Sequence, residues 1–417
     1  MWSIPASLFF IAFFHRVAPG VIAKDLMQAF GATGTLIGLL SSTYFYSYAG
    51  FMIPGGVLID AYGVRRVVGA GGAVMGLGTL AMAFASTTWM LFAGRFLVGL
   101  GATVTFVGVL KVATLWFAAA RFGTLAALSA TVGILGSLVA TAPLAWLAAA
   151  AGWRGAFASV GAVTLVMAVV CVWLVRDRPE GAGAEAPASG LREVMRGMLE
   201  VLANRHTWPP FLTFFFLYSA MGNLMLWTVP FMRDIYGLST TAAAAQASAM
   251  SLALLVFAPL TGWLSDRVMH RRKAPYTMLA AGLGALWVVL VLTLGTLPLA
   301  AIFALFFGMG IFGAVFVLTW PIGREVNPPH LAGVAVAVVN LGGFLGAALT
   351  QGPLGAVLDA RWAGALVDGA RTYALEAYRA AFAVCAGFVL AAALLSLLLQ
   401  ETRGVNIHDR LSRRACD

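Results

Sequence analysis

Long apolar segments, separated by short polar connectors, follow one another along the chain. Twelve of them are long enough to cross the roughly 30 Å hydrocarbon core of a bilayer as an α-helix, which takes about 20 apolar residues. The predicted spans, numbered 1 to 12 in chain order, are 2–22, 33–58, 67–86, 89–114, 122–148, 154–175, 209–231, 241–264, 276–296, 299–321, 331–357 and 377–399. The pattern predicts an all-α membrane protein with twelve transmembrane helices.

Composition agrees with a bilayer as the surrounding medium. Hydrophobic residues make up 61% of the 417 residues and charged residues only 10%, whereas a soluble domain carries about 25% charged residues. The net charge of +10 would suggest a nucleic-acid partner in a soluble protein. Here most basic residues lie in connectors, so the lipid bilayer is the expected partner and nucleic acid is not.

The cysteines offer no sign of a metal or disulfide framework. Cys171 and Cys385 lie in apolar runs and Cys416 lies in the tail, and their spacing fits neither a zinc site nor a disulfide pattern. No metal and no cofactor is predicted.

A polar segment at 176–208 divides the chain. It contains the run GAGAEAPASG, followed by LREVMRGMLEVLA, whose apolar residues recur at helical spacing. These features predict a flexible linker followed by an amphipathic surface helix. The expected organisation is an N-terminal six-helix bundle at 1–175, a cytoplasmic linker at 176–208, and a C-terminal six-helix bundle with a short tail at 209–417.

Basic residues are distributed unevenly between the two sides of the predicted membrane. Seventeen Lys and Arg lie on the side of the linker and the C-terminal tail, and six lie on the other side. Since basic connectors stay in the cytoplasm, both termini are predicted to be cytoplasmic. The apolar run begins at Met1 without a basic leader, so span 1 is expected to be its own insertion signal, and a start upstream of Met1 stays open.

The two halves of the chain repeat each other. The matching sets are Gly56, Leu58 and Asp60 with Gly262, Leu264 and Asp266; Gly99 and Gly101 with Gly308 and Gly310; and Gly133, Gly136 and Pro143 with Gly343, Gly346 and Pro353. The offsets are 206, 209 and 210 residues. Parallel six-helix repeats of this kind are typical of transporters that work by alternating access.

The loop after span 2 carries a recognisable motif. Gly56-Val-Leu-Ile-Asp60-Ala-Tyr-Gly63-Val-Arg65-Arg66, with its copy Gly262-Trp-Leu-Ser-Asp266-Arg267-Val-Met-His-Arg271-Arg272, resembles the signature loop of the major facilitator superfamily. Arg95-Phe-Leu-Val-Gly99-Leu-Gly101 in span 4 resembles a second pattern of that family. The first copy departs from the family at Ala61 and Val64, where basic residues are usual.

The resemblance implies a gate. The glycines would let helices approach closely, and each aspartate would pair with a cation of the other half in one conformation only. The gating residues are then Gly56, Asp60, Gly63, Arg65, Arg66, Arg95, Gly262, Asp266, Arg267 and Arg271, with a coupling role for Arg95. The alternative is that the arginines only anchor the topology.

Four ionisable side chains are the clear candidates for charges well inside the predicted spans: His15 and Arg16 in span 1, and Arg95 and Lys111 in span 4. No Asp or Glu lies well inside any span, so these cations are expected to lack carboxylate partners. Ionisable groups within a membrane are costly and mark functional sites. Unpaired cations favour an anionic substrate, although Arg16 and Lys111 could instead snorkel to the headgroups, and His15 could carry a coupled proton.

Polar and aromatic residues complete the expected binding site. In the family, spans 1, 4, 7 and 10 line the central cavity, and an arginine of span 1 binds the anion in sugar-phosphate carriers. The predicted substrate-binding residues are Arg16, Lys111, Tyr44, Tyr48, Asn223, Trp227, Trp320 and Asn340. Tyr44 and Tyr48 are four residues apart and share one helix face.

The stretches FFHRVAPGVI, LKVATLWF, VPFMRDIYGLS and REVNPPHLAG resemble bacterial sugar-phosphate and organic-anion permeases and related amino-acid carriers. The resemblance implies a monomer in the bacterial inner membrane that transports a small organic anion or zwitterion (a carboxylate, phosphate ester or amino acid), with a proton or counter-anion as co-substrate. Alternatives are a proton-coupled drug or metabolite efflux pump and a non-transporting membrane receptor. The sequence contains no recognisable set of catalytic residues, so an enzyme is not predicted.

Overall fold

A computed structural model of the chain describes residues 1–118, 121–177 and 190–413. The N-terminal half contains the helices α1 Ser3–Val21, α2 Ala23–Phe30, α3 Gly34–Tyr62, α4 Val64–Ala83, α5 Thr88–Trp116, α6 Phe122–Val139 and α7 Ala142–Leu174. The linker region contributes α8 Leu191–Ala203 and a 3₁₀ turn at Arg205–Thr207.

The C-terminal half follows the same plan. Its helices are α9 Trp208–Tyr236, α10 Thr240–Trp263, α11 Lys273–Leu292, α12 Leu299–Gly313, α13 Thr319–Glu325, α14 Ala332–Asp359, α15 Leu375–Ser396 and α16 His408–Arg413. A π-helical turn covers Leu264–Met269, and 3₁₀ turns cover Ala314–Leu318 and Pro329–Leu331. The strands β1 Leu366–Val367 and β2 Ala370–Arg371 form a small antiparallel hairpin, in which Leu366 pairs with Arg371.

The prediction of twelve membrane-crossing helices is confirmed. Eleven helical segments among the described residues are long and apolar enough to cross a bilayer, and the shorter apolar helix Thr124–Val139 supplies the remaining one. Span 10 is built from α12, the following 3₁₀ turn and α13.

The predicted boundary between spans 5 and 6 differs from the structure. Span 5 was expected to run to residue 148, but α6 ends at Val139 and α7 begins at Ala142. Pro143 lies in the first turn of α7, and its ring would clash with the carbonyl of Val139 in a continuous helix. A second break follows at Gly152, whose φ of 71° interrupts α7.

Capping residues set several helix starts. Thr33 accepts a hydrogen bond from the Leu36 amide, Thr87 from Met90 and Ser239 from Ala242, so each satisfies one of the free N–H groups of a helix N-terminus. Between α3 and α4 the chain turns at Gly63, whose φ is 83°.

Because successive spans alternate in direction, the connectors lie on two faces. The face that carries residues 62–64, 175–177, 190–208, 325–332 and 400–413 is here called the linker face. The opposite face, with residues 22–34, 140–153, 236–240 and the hairpin at 366–371, is called the hairpin face. The amphipathic helix is present as α8, and its Val201 packs with Ala335 and Val338 of α14. Residues 178–189 of the predicted linker lie outside the described residues, so the domain boundaries stay a prediction.

Candidate functional site

Arg16 lies between the two halves, in a group of aromatic rings. Its guanidinium carbon is 3.9 Å from the centroid of Phe13, 5.0 Å from that of Phe344 and 5.2 Å from that of Tyr48. Its Nε donates to the Tyr44 hydroxyl at 3.4 Å. Phe13 precedes Arg16 by one turn of α1, in the direction that long helical side chains lean. The four residues Phe13, Tyr44, Tyr48 and Phe344 are called the aromatic cage.

The rings around Arg16 hold its guanidinium by cation–π attraction, and its Nε donates to the Tyr44 hydroxyl. A planar fork of N–H donors matches a carboxylate or phosphate in two parallel hydrogen bonds. Arg16 and Phe13 are partly exposed, whereas Tyr44, Tyr48 and Phe344 are buried.

Both halves of the chain contribute aromatic residues around Arg16, and these residues are called the wall: the aromatic cage together with Tyr218. Tyr44 and Tyr48 stack on one face of α3, with centroids 5.9 Å apart, as their spacing predicted. Phe344 of α14 lies 4.6 Å from Tyr48 and 5.9 Å from Tyr218 of α9. The wall therefore joins α1 and α3 of one half to α9 and α14 of the other.

Arg95 and His15 lie behind this wall. Arg95 is fully buried, donates from Nη1 to the backbone oxygen of His15 at 2.8 Å, and lies 4.9 Å from the Tyr44 centroid. His15 is also fully buried, with Nε2 3.0 Å from the Thr79 hydroxyl. That hydroxyl donates to the Met75 oxygen, so Nε2 of His15 is the donor. Arg95 thus ties α5 to α1 and touches the site through Tyr44.

Trp320 and Asn340 lie on the linker side of the cage. The indole Nε1 of Trp320 donates to Asn340 Oδ1 at 3.1 Å, and Asn340 Nδ2 lies 3.9 Å from the sulfur of Met52 in the other half. Phe214 connects Trp320 to Tyr218, with centroid distances of 6.5 and 5.5 Å. These two predicted residues are therefore neighbours of the site.

Asn223 and Trp227 are fully buried on α9. Asn223 Nδ2 donates to the Ser219 oxygen and the Thr350 hydroxyl, at 2.8 and 3.0 Å. Trp227 packs against Tyr373, near the hairpin face, at a centroid distance of 6.4 Å. Trp227 is therefore placed with the contacts of that face, apart from Arg16.

Lys111 has a carboxylate partner, contrary to expectation. Its ammonium lies 3.1 Å from Asp60 Oδ1. Asp60 lies at the end of its span, and the side chain of Lys111 is long enough to reach the end of α3. Among the predicted intramembrane cations, Lys111 is thus neutralised toward the linker face, away from the aromatic cage.

Two residues of the aromatic cage, Phe13 and Phe344, were not predicted from the sequence. Phe13 precedes Arg16 by three residues and so shares its helix face, which was an available signal. Phe344 stands in the small-residue run Gly342-Gly343-Phe344-Leu345-Gly346, where an isolated aromatic ring could have been noticed. Only the folded chain brings the two rings to the same arginine.

Residues 6–351 of the chain match the sequence model of a protein family described as the Major Facilitator Superfamily. The chain belongs to the Major Facilitator Superfamily. It is accordingly a multi-pass membrane protein.

Individual superfamily members align over most of their length. The membrane sensor protein UhpC of Salmonella typhimurium is 25% identical over 84% of this chain and 82% of its own. The probable sulfoacetate transporter SauU of Cupriavidus necator is 26% identical over 80% of this chain and 81% of its own. A bacterial homologue of the human lysosomal transporter Spinster, solved in an inward-facing and occupied conformation, has a TM-score of 0.79 at 18% identity, covering 95% of this chain and 96% of that one. This last likeness shows the fold alone.

The superfamily signature loops contact their own half in this structure. Asp60 pairs with Lys111 of α5, and Asp266 pairs with Arg272 at the start of α11. Among the described residues, neither aspartate pairs across the halves in this conformation, and pairing in another conformation stays a prediction. Two of the glycines also behave differently from expectation, because a Cβ atom at Gly56 or Gly262 would meet no atom within 4 Å. Among the described residues, no other helix closely approaches these two positions.

Gly63 and Arg65 bear on a contact that the sequence did not reveal. The Arg65 amide donates to Asp177 Oδ1 at 2.8 Å, and a Cβ atom on Gly63 would lie 2.6 Å from the same carboxylate. Asp177, three residues beyond the end of α7, thereby caps α4. Arg66 is exposed.

In the second loop, Arg272 takes the place expected for Arg267 or Arg271. Arg272 is buried and joins Asp266 to Glu325, with 3.3 Å to the latter, while Arg267 and Arg271 are exposed. Burial opposes its charge, but Glu325 and Asp266 together raise the pKa of Arg272. The left-handed His270 turns the chain so that Arg272 points inward.

Residues of the hairpin face join the two halves, and none of them was predicted. Lys24 of α2 pairs with Asp234 of α9 at 2.7 Å and also donates to the backbone oxygen of Arg371. Burial lowers the pKa of Lys24, while Asp234 acts against that shift. Asp359 of α14 accepts from the Gly34 and Thr35 amides at the start of α3, at 2.9 and 2.7 Å.

Proposed function

We propose that this chain is a secondary transporter that moves a small organic anion across the membrane by alternating access, with the anionic group bound at Arg16. The observation that carries the proposal is the aromatic cage. Its arginine is held by rings and by a hydroxyl, and among the described residues no carboxylate forms an ion pair with it. A cation fixed in this way needs an anion to balance it.

The anion class is also supported by relatives of this chain. SauU is named a probable sulfoacetate transporter, and its substrate by that name is an anion. Arg16 of α1 lies beside α3 of its own half and α14 of the other half. This placement suits a site that both halves can enclose in turn, as alternating access needs.

A ligand screen on the purified full chain tests the proposal. A ligand that binds only the folded state raises its stability by RT ln(1 + [L]/Kd), about 2.7 kcal/mol at a hundredfold excess over Kd. Organic anions should raise the melting temperature of the wild-type chain but not that of Arg16→Gln. Arg361→Gln, at an exposed arginine of the hairpin face, is the matched control and should keep the response. Stabilisation by organic cations alone, or an unchanged response of Arg16→Gln, would overturn the proposal.

A sensor is the second candidate function, because UhpC carries that name. Uptake into proteoliposomes separates the two, since a sensor would bind the anion without accumulating it. We further propose that the transporter is a monomer in the inner membrane, with both termini in the cytoplasm. Its co-substrate is proposed to be a proton carried by His15 or a counter-anion. Uptake that is unaffected by pH and by uncouplers would contradict proton coupling.

A further inference from the structure

An open groove of about 510 Å³ lies at the linker face, where the start of α11 meets the end of α15. Its lining includes three basic side chains that come from two separate parts of the chain. Arg271 lies in the turn before α11, Lys273 is the first residue of α11, and Arg403 follows α15. The other lining residues are Ala274, Thr277, Met278, Leu397 and Glu401.

Hydrogen bonds hold the two parts of the groove together. The carboxylate of Glu401 accepts from the backbone amides of Lys273 and Arg403, at 3.2 and 3.1 Å. The hydroxyl of Ser396, at the end of α15, donates to that of Thr277 on α11 at 2.9 Å. The groove is therefore built by the packing of α15 and the segment after it against α11.

The positive charge of the groove is not balanced by the protein. Across residues 1–118, 121–177 and 190–413, no carboxylate forms an ion pair with Arg271, Lys273 or Arg403. The carboxylate of Glu401 also accepts from the backbone amide of Arg272, at 2.7 Å, so it is engaged with the backbone. Three cationic side chains against one carboxylate leave a local excess of positive charge, which attracts an anion.

The groove continues into apolar surface on the membrane side. Met278 follows Lys273 by five residues, which is about 7.5 Å along the helix axis. Met278 and Leu397 are 66% and 55% exposed, and Leu394, one turn earlier on α15, is 68% exposed. Large apolar side chains with this exposure are typical of a surface that contacts lipid. One groove thus joins a basic end to an apolar end.

We propose that this groove binds an anionic phospholipid, with its phosphate at the three basic side chains and an acyl chain along Met278 and Leu397. Guanidinium groups match phosphate oxygens with paired N–H donors, and a lysine ammonium adds a point charge. Basic pockets between transmembrane helices hold lipid headgroups in this way. A soluble anion would leave the apolar end of the groove without a partner.

The charges of the groove also predict which lipid binds best. Cardiolipin carries two phosphates and phosphatidylglycerol carries one, so cardiolipin balances the excess positive charge more completely. The groove shares no lining residue with the aromatic cage. The proposal is therefore independent of the anion site at Arg16.

A lipid titration of the purified full chain in detergent tests the proposal. The probes are cardiolipin, phosphatidylglycerol and zwitterionic phosphatidylcholine with the same acyl chains. Native mass spectrometry counts the bound lipids, and the melting temperature gives an apparent Kd. The apparent Kd should be lowest for cardiolipin and at least about tenfold higher for phosphatidylcholine. Equal affinity for all three lipids would overturn the proposal.

Removal of the three charges assigns the preference to the groove. The triple variant Arg271→Gln, Lys273→Gln, Arg403→Gln should raise the apparent Kd for cardiolipin at least about tenfold. It leaves the backbone amides that bond to Glu401 in place. An unchanged preference for anionic lipids in this variant would contradict the site.

The matched control removes as many charges from exposed arginines of the linker face that do not line the groove: Arg324→Gln, Arg410→Gln, Arg413→Gln. This variant should keep the apparent Kd for cardiolipin within about twofold, because charges outside a site are screened by salt. Equal losses in the two triple variants would show that lipids respond to the total charge of the face, and would overturn a defined site.

A substitution that fills the groove separates its shape from its charge. Ala274→Trp keeps every charge, and it should weaken cardiolipin binding about as much as the triple variant does. Full cardiolipin affinity in Ala274→Trp would show that the groove does not hold the lipid. If both variants fail to fold, the ranking of the three lipids on the wild-type chain decides the matter.

Soluble competitors distinguish a lipid from other anions. Inorganic phosphate and a hexaglutamate peptide carry negative charge but no acyl chain, and each buried CH₂ of an acyl chain adds to lipid affinity. Each competitor should therefore displace cardiolipin only at about a hundredfold higher concentration or more. Displacement at equal concentration would assign the groove to free phosphate or to an acidic peptide instead. Arg16→Gln should keep its cardiolipin affinity, and a loss there would contradict a site separate from the aromatic cage.

Discussion

The hairpin face and the linker face use their charged side chains differently. At the hairpin face, Lys24 with Asp234 and Asp359 with the start of α3 connect one half to the other. At the linker face, the pairs of Asp60 with Lys111 and of Asp266 with Arg272 stay within a half.

Backbone packing differs in the same way. At the hairpin face, a Cβ atom on Gly355 of α14 would overlap the backbone of Gly34 in the other half. Near the linker face, Gly56 and Gly262 have open space around them. Contacts that join the halves stabilise the conformation in which they form, whereas contacts within a half move with it. This structure is accordingly a conformation closed at the hairpin face.

Distances between labels on each face measure the equilibrium between conformations. Suitable exposed positions are Ala29 and Leu299 for the hairpin face, and Tyr62 and Arg271 for the linker face. Cys171 and Cys385 are buried, and Cys416 in the tail would be replaced by Ser before labelling.

Removal of Lys24 should have the largest effect on this equilibrium. Lys24→Met leaves Asp234 without its cation in a buried setting, which typically costs about 3–5 kcal/mol. The Tyr378 hydroxyl and the Tyr373 amide still donate to Asp234, so this range is an upper limit. The label distance at the hairpin face should lengthen. Exchanging the two charges, Lys24→Asp with Asp234→Lys, should restore part of the closure, and an unchanged distance in Lys24→Met would show that the pair does not hold the halves together.

Neutralising Asp359 should open the same face to a smaller extent. Its carboxylate accepts from Thr35 and Tyr373 hydroxyls at 2.6 Å as well as from the two amides of α3, and burial together with this carboxylate raises the pKa of the Tyr373 hydroxyl. Hydrogen bonds to charged groups contribute about 1.5–3 kcal/mol. Asp359→Asn should therefore shift the equilibrium at least about tenfold toward the open hairpin face. Asp368→Asn, in the exposed turn of the hairpin, should leave the label distances unchanged.

Two glycine substitutions contrast the packing of the faces. Gly355→Ala should cost the closed conformation about 1–3 kcal/mol, because the added methyl meets backbone atoms that cannot move aside. Gly56→Ala should leave the equilibrium unchanged and raise helix stability slightly, since Ala is the better helix former. Melting temperature and label distances check both, and a strong shift in Gly56→Ala would mean that another helix approaches this site in the alternate conformation.

The smallest effect is expected at Lys111. Asp60 is about two-fifths exposed (43%), and ion pairs of this kind are worth about 0–1 kcal/mol. Lys111→Met should change the ratio of the two conformations, as measured by the label distances, by less than about fivefold. It should leave anion affinity unchanged. A large loss of affinity would restore Lys111 to the substrate-binding residues.

The proposed role of Arg16 was suggested by the sequence because an ionisable side chain in an apolar span is costly, and the shared face of Tyr44 and Tyr48 because their spacing is helical. Other parts of the site could not be read from local patterns. Phe344 is far from Arg16 in sequence, and the neighbouring residues Arg271 and Arg272 look alike until the left-handed turn at His270 buries one and exposes the other.

The sequence by itself determined the twelve spans, their repeat and the cationic character of span 1, because apolar length, recurring glycines and isolated charges are local properties that the bilayer constrains strongly. Only the tertiary structure decided which charges pair. Lys24 and Asp234 are 210 residues apart, and partners at such separation meet through helix packing, which the order of residues along one span does not reveal. For the same reason, the aromatic rings around Arg16 and the groove that brings Arg403 to Arg271 and Lys273 were visible only in the assembled molecule.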